Sequence, residues 1–356
     1  MVDIRRKPKL TFGLIAFSIL STLIYLSSPA IWLRNANSHT TENGPRVCRY
    51  PAWRLAQNPM SSKIEPITVV TAYWNIGAIY NGIPFQSKDP KRYMRYMESY
   101  AYIENPVVAY FDDPVMEELF QVIRNRSGLP TKTVLFRNRT KLWAFNLEPR
   151  IKEIYSHPDY PKVIPNFHSS YDCATHAKFV AVPHAIQANY FNTEYFAWCD
   201  MGYFRDMPAG LKSHYHFRIT LPPKFDMEKV AFTEISAPDD KLSLKDIFFK
   251  LRFWVASGLF IGRAELLSRL AEDYQYSTEK FLRMNLSETD QQILYGMYSR
   301  FNLDIPRTEI QVYLPDGTTR DPWMFLGELL REIWWQNNPI PNECHNCNRS
   351  QLIDFF

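Results

Sequence analysis

From residue 65 onward, short β-rich apolar runs alternate with stretches of helical spacing. Ile67–Tyr73 is the first apolar run, and Val107–Phe111 is the second, closed by Asp112-Asp113-Pro114. Residues 133–136 read as a third strand. Residues 194–199 form an apolar run that stops at Asp200, and 253–261 form another around Gly258. Between these runs, 91–103 carries Tyr93, Tyr96, Met97 and Tyr100 at helical spacing. Residues 115–124, 141–155, 172–182 and 264–274 also read as helices, with 172–182 broken near Pro183. Strand runs separated by helices predict an α/β sheet with parallel strands.

The amino end follows a different pattern. Residues 10–33 are 24 positions without a charge. As a helix they span ~36 Å at ~1.5 Å per residue, enough for a hydrocarbon core ~30 Å thick. Arg5, Arg6, Lys7 and Lys9 precede the run, and Arg34 follows it. The positive-inside rule puts residues 1–9 in the cytoplasm, which makes 10–33 a transmembrane signal anchor of a single-pass type II protein. A cleaved signal peptide ending near Ser28-Pro29-Ala30, or a terminal core helix, is the competing reading. Residues 34–64 are polar and aperiodic, as a stem would be. The expected plan continues with a lumenal domain over 65–335 and a tail over 336–356.

Export permits N-glycosylation at the sequons of Asn125, Asn138, Asn285 and Asn348. It also permits disulfides among Cys48, Cys173, Cys344 and Cys347, the last two forming a CxxC pair. Cys199 falls within a strand run and reads as a core thiol. His214 and His216 alternate like a metal pair, but no third ligand is near them in sequence.

Composition narrows the function. The net charge of the 356-residue chain is +4, and the first nine residues supply most of it. The body is nearly neutral, which excludes a strongly basic nucleic-acid binder. With 46% apolar residues the chain can build a large core and is no disordered solvator. Only 12 glycines are present, and neither a Walker loop nor a G-x-S-x-G elbow occurs.

Three polar clusters fall where strand runs end: Thr71-Ala72-Tyr73-Trp74-Asn75, Asp112-Asp113, and Asp200-Met201-Gly202-Tyr203. Ligands of open α/β sheets bind beyond the carboxyl ends of strands. Each cluster also has a simple turn reading. In the third, an apolar strand delivers a carboxylate to its tip, and Gly202 lets backbone approach a ligand.

That segment resembles the acidic motif of A-type (GT-A) glycosyltransferases, with Asp-x-Gly in place of Asp-x-Asp. Residues 68–77 (TVVTAYWNIG) together with 197–203 (AWCDMGY) resemble the HtrL/YibB family more specifically, over roughly 65–335. The resemblance implies a mixed, mostly parallel sheet flanked by helices. It implies a nucleotide-sugar donor and a glycan or glycoconjugate acceptor. It also implies a Mn²⁺ or Mg²⁺ ion at Asp200, although no Asp-x-Asp supplies a second acid.

The resemblance carries over to further positions. Lys178 falls where such proteins often have a lysine before the acidic strand. Ser257-Gly258-Leu259-Phe260-Ile261-Gly262 is similar to the stretch lining their sugar pocket. Thr289-Asp290-Gln291-Gln292 is similar to their Asp-Gln element on a helix. Donor binding is then expected from Thr71, Tyr73, Trp74, Lys178, Asp200, Gly202, Arg205 and Gly258. A base for an inverting reaction is expected at Asp290 or Glu288. Structural readings stand beside these: Ser287 and Asp290 are spaced as a capping box, Lys178 suits a solvated helix face, and Gly258 and Gly262 suit close helix–strand packing. A non-catalytic glycan- or nucleotide-binding protein, or an adhesion module, is the alternative function.

Overall fold

The computed structural model describes residues 66–77, 89–161, 168–205, 216–317 and 321–333. The expected tail, anchor and stem (1–64), the 336–356 tail, Cys48, Cys344, Cys347, His214 and Asn348 lie outside the described residues. Among the described residues no helix is long and apolar enough to cross a membrane.

The chain runs β1 (Ile67–Tyr73), α1 (Pro90–Met97), β2 (Val107–Phe111), α2 (Pro114–Asn125), β3 (Thr131–Leu135), α3 (Trp143–Asn146), α4 (Glu148–Ser156), α5 (Ser169–His176) and α6 (Lys178–Ala188). It continues with β4 (Tyr195–Cys199), β5 (Phe217–Ile219), β6 (Lys229–Glu234), α7 (Leu244–Phe249), β7 (Val255–Arg263), α8 (Ala264–Arg283), α9 (Asp290–Tyr298), β8 (Glu309–Tyr313), α10 (Phe325–Leu330) and β9 (Arg331–Ile333).

Seven strands form one sheet in the order β3-β2-β1-β4-β7-β6-β8. β1 lies parallel between β2 and β4, with Val69 opposite both Val107 and Ala197. β3 extends the parallel set, and β8 lies parallel to β6. β7 runs antiparallel between β4 and β6, so the sheet is mixed rather than wholly parallel. β5 and β9 form a separate antiparallel pair.

Both faces of the sheet are covered. Val70, Phe196, Trp198, Phe232 and Phe260 pack with residues of α3 to α9. Val69, Tyr195, Ala197, Cys199 and Val107 pack with α1, α2 and α10. Side chains two apart therefore share a face, as a strand requires. Burying each such large apolar side chain contributes roughly 1.5–3 kcal/mol.

Two prolines act differently from a simple breaker rule. Pro149 lies in the first turn of α4, where its missing N–H costs nothing, and 141–155 divides into α3 and α4. Pro183 sits inside α6, contrary to the expected break. Its missing N–H would leave the Phe179 carbonyl unpaired. The Gln275 amide from α8 donates to that carbonyl instead, at 2.8 Å.

Arg124 is the most deeply placed charge in the β2–β3 region, with no exposed surface. Its guanidinium donates to the carbonyls of Tyr100, Ile103, Asn105 and Pro130 and to the Thr131 hydroxyl. Burial lowers its pKa to about 10, so it stays charged at neutral pH. One side chain thereby satisfies four loop carbonyls that water cannot reach. Arg124→Leu is expected to cost about 3 kcal/mol, read as a lower urea midpoint. A change under about 0.5 kcal/mol would show that this network is dispensable.

Candidate functional site

The carboxyl ends of β1, β2, β3 and β4 share one edge of the sheet. β4 is buried along its whole length and is followed at once by Asp200. By the two-residue period, Asp200 follows Trp198 to the face covered by α6. Trp198 donates its indole N–H to Asp200 Oδ1 at 2.7 Å. The Asp200 backbone N–H donates to the Gly258 carbonyl at 2.8 Å, which joins the strand tip to β7.

Lys178 opens α6 and is 3% exposed. Its Nζ lies 2.7 Å from Asp290 Oδ2 and 3.3 Å from Asp200 Oδ1. It also donates to the Ser257 carbonyl at 3.0 Å and stands over the Trp198 ring, 5.5 Å from its centre. A cation at a helix N-terminus opposes the macrodipole. Burial alone would lower the lysine pKa, but Asp200 and Asp290 outweigh burial and raise it. The ammonium is therefore charged, held by carboxylates from two other elements. The solvated-lysine reading of Lys178 is corrected by its burial.

Asp200 is the exposed member of this group, with nearly half of its side chain accessible. Its Oδ2 has no partner among the described residues and lies beside Gly258, where a Cβ would come within 3.4 Å of it. Asp290, expected as a base, is only 3% exposed and faces Lys178; there it holds the ammonium. Glu288, the second candidate, is 4% exposed. Neither presents a carboxylate to solvent. The Ser287–Asp290 capping box does not form: Thr289 holds the N-cap position of α9 without a side-chain capping bond, and its hydroxyl donates to the Gln292 side-chain carbonyl.

An open cleft of about 440 Å³ lies on the same edge, lined by Asn75, Asp112, Asp113, Pro114, Arg137, Asn138 and Arg139. Arg139 pairs with Asp112 at 2.9 Å and donates to the Asn75 carbonyl. Asn75 bonds Asp112 through its backbone and Asp113 through its amide. Asp113 also caps α2. Arg137 has no partner among the described residues. Neither arginine carries a motif, and only the β3 pairing reveals that both reach this edge.

The remaining expected residues divide. Thr71 is buried and accepts from the Tyr100 hydroxyl, so it faces the core. Tyr73 packs on Tyr93. Trp74 packs on Phe136 and Phe145, with its indole N–H buried and unpartnered among the described residues. Arg205 pairs with Asp321 at 3.3 Å. Cys173 and Cys199 are buried and unpaired among the described residues. Asn125, Asn138 and Asn285 are exposed. His216 contacts Tyr102 edge to face.

Gly202 faces protein rather than ligand. A Cβ there would lie 2.9 Å from the Tyr96 ring. The aromatic ring thus fills the place where an Asp-x-Asp motif projects its second acid. The next residue, Tyr203, is buried and accepts from the Gly327 N–H at 3.0 Å. A Cβ at Gly327 would collide with its ring.

Among the described residues no group of three His, Cys, Asp or Glu could hold a metal ion. A hard divalent cation wants about six oxygens. Here Asp200 Oδ1 is taken by an ammonium and an indole, and one carboxylate oxygen remains. These residues alone make no metal cage; a Mn²⁺ or Mg²⁺ there would take Asp200 Oδ2 together with waters and the phosphates of a bound ligand.

Lys178→Met is expected to cost about 3–5 kcal/mol, because Asp290 stays buried without its cation. Adding Asp290→Leu is expected to recover part of that loss, with a coupling of about 2 kcal/mol by urea denaturation. Additive losses would show that the ion pair carries no net energy. Gly202→Asp is expected to cost about 1–3 kcal/mol through Tyr96, and Tyr96→Ala to relieve it.

No curated protein matches the chain. Among solved structures, core-mannan synthase A from Aspergillus fumigatus, in its Mn/GDP form, is similar at TM-score 0.38 and 10% identity, covering 83% of this chain and 90% of that one. The 4-diphosphocytidyl-2C-methyl-D-erythritol synthase from Anaerococcus prevotii is similar at TM-score 0.30 and 10% identity, covering 74% and 95%. A family profile described as bacterial protein of unknown function, HtrL_YibB, matches residues 65–304, from the start of β1 to beyond α9. With both the TVVTAYWN and AWCDMGY segments inside that span, the chain belongs to the HtrL_YibB family.

Proposed function

We propose that this chain is a type II membrane glycosyltransferase, anchored by residues 10–33 in the Golgi or another secretory-pathway compartment. It moves a sugar from a nucleotide-sugar donor to a glycan or glycoconjugate acceptor. The observation that carries the reading is the buried Lys178 ammonium between Asp200 and Asp290, on the same sheet edge as the Asn75–Arg139 cleft.

In such a transfer the acceptor hydroxyl oxygen bonds to the anomeric carbon as the bond to the nucleoside diphosphate breaks. The protein must hold the donor and stabilise the departing charge. Asp200 Oδ2 is placed to accept hydrogen bonds from sugar hydroxyls, with Lys178 and Trp198 fixing the other oxygen. The cleft offers Asp112 and Asp113 to a base or ribose, and Arg137 to phosphate.

Tyr96 against Gly202 favours a second reading, a non-catalytic glycan- or nucleotide-binding protein, since it leaves a single acid on the strand tip. Calorimetry of the full-length chain with UDP, GDP and CMP tests both. One nucleotide is expected to bind, with chelator present, and to bind at least about tenfold more weakly in Arg137→Ala, a loss of ~1.4 kcal/mol. No binding of any of the three would overturn the site. Binding without sugar release from the matching donor would leave the non-catalytic reading.

A further inference from the structure

β1 has β2 on one side and β4 on the other, and the two pairings do not end together. With β2 the register runs on to Tyr73 and Phe111, but with β4 it stops at Val70 and Trp198. The tips of β1 and β4 therefore part. They part where the chain's route through the sheet reverses, which is where open α/β sheets hold ligands. Successive residues of a strand send their backbone groups to opposite sides. The Asp200 N–H bonds the Gly258 carbonyl of β7, so Cys199 turns its carbonyl towards β1, beyond the point where the ladder has stopped.

Tyr100 fills that fork. It lies on the short 3₁₀ helix Glu98–Tyr102 that follows α1, and it has no exposed surface. Its hydroxyl stands 3.0 Å from the Cys199 carbonyl, 3.3 Å from the Asp200 carbonyl and 2.9 Å from Thr71 Oγ1 on β1. The one phenol proton is thus offered to two successive peptides of the acidic tip and to the strand beside it. The ring is held in place. It packs on Phe120 with 5.3 Å between centres, and the Arg124 guanidinium donates to the Tyr100 carbonyl at 2.9 Å. Both anchors stand on α2, so the position of the hydroxyl is set from outside the fork.

We infer that Tyr100 is a positioning residue: its hydroxyl replaces the missing rung between β1 and β4 and sets the Asp200 peptide, so that the carboxylate keeps one oxygen on Trp198 and Lys178 and turns the other to solvent. The inference rests on reading this edge as the ligand site, but it concerns the aim of Asp200 and is read first without ligand. Fully buried, Tyr100 cannot meet a ligand itself, so its effect passes through Asp200. Without the hydroxyl, the Cys199 and Asp200 carbonyls lose this donor. The Asp200 carbonyl keeps the Tyr203 N–H at 2.8 Å. The turn after the strand therefore survives, while the tip is freed on its β1 side.

The test uses the full-length chain as wild type, Tyr100→Phe and Tyr298→Phe. Tyr298 is the control: its hydroxyl also donates to a carbonyl, that of Thr308 at 2.6 Å, but at the end of α9 remote from Asp290. Both substitutions are expected to lower the urea midpoint. Only Tyr100→Phe is expected to shift the Trp198 indole N–H resonance, which reports the bond to Asp200 Oδ1. Only Tyr100→Phe is expected to weaken, by about threefold or more, whichever of UDP, GDP or CMP the wild type binds. An unmoved Trp198 resonance in Tyr100→Phe overturns the inference, and so does an equal shift in Tyr298→Phe. A shifted resonance with nucleotide affinity equal to wild type overturns it too. If Tyr100→Phe does not fold, Thr71→Val, which removes the phenol's partner on β1, must move the same resonance, or the inference falls. A wild type that binds none of the three nucleotides counts against the transferase reading and leaves the resonance test unaffected.

Discussion

A buried ammonium cannot stay charged without partners, and that constraint organises the site. Taking Lys178 out of water costs several kcal/mol. The cost is met only if Asp200, Asp290, the Ser257 carbonyl and the Trp198 ring all converge on it. Those groups come from the end of β4, from α9 and from β7. The sheet order that places β7 beside β4 is thus a requirement of the charge as much as of the apolar core. Asp200 gains from the arrangement: one oxygen is fixed by the protein, and the other is left to solvent.

Much of the sheet was legible because buried parallel strands read as continuous apolar runs. β1, β2 and β4 emerged at nearly their observed bounds, and the clusters that follow them do share an edge. β6 and β8 were not seen. Lys229–Glu234 and Glu309–Tyr313 begin or end on charges, and their partners lie far away in sequence. The antiparallel β7 was visible as a strand but not in its direction, which only pairing decides.

The site was legible in part for similar reasons. Lys178, Asp200, Gly258 and Asp290 meet, and the family resemblance located all four. Arg137 and Arg139 gave no signal because nothing local ties them to Asp112. Gly202 was read as an approach for ligand. The ring that meets it, Tyr96, lies more than a hundred residues earlier, so no local pattern could assign it. Pro183 misled because its remedy, Gln275, sits on another helix.

The contact between Tyr203 and Gly327 has a consequence for the order in which the molecule is completed. The phenol that stiffens the turn after Asp200 is held by a glycine N–H 124 residues further along the chain. On a ribosome adding ~5–20 residues per second, that stretch takes on the order of ten seconds to appear. Through that interval the strands preceding the turn have already been made, but the turn has no lock. Maturation of the acidic edge is therefore a late event in the life of each nascent chain, tied to the emergence of α10 rather than to the strand that carries the acid.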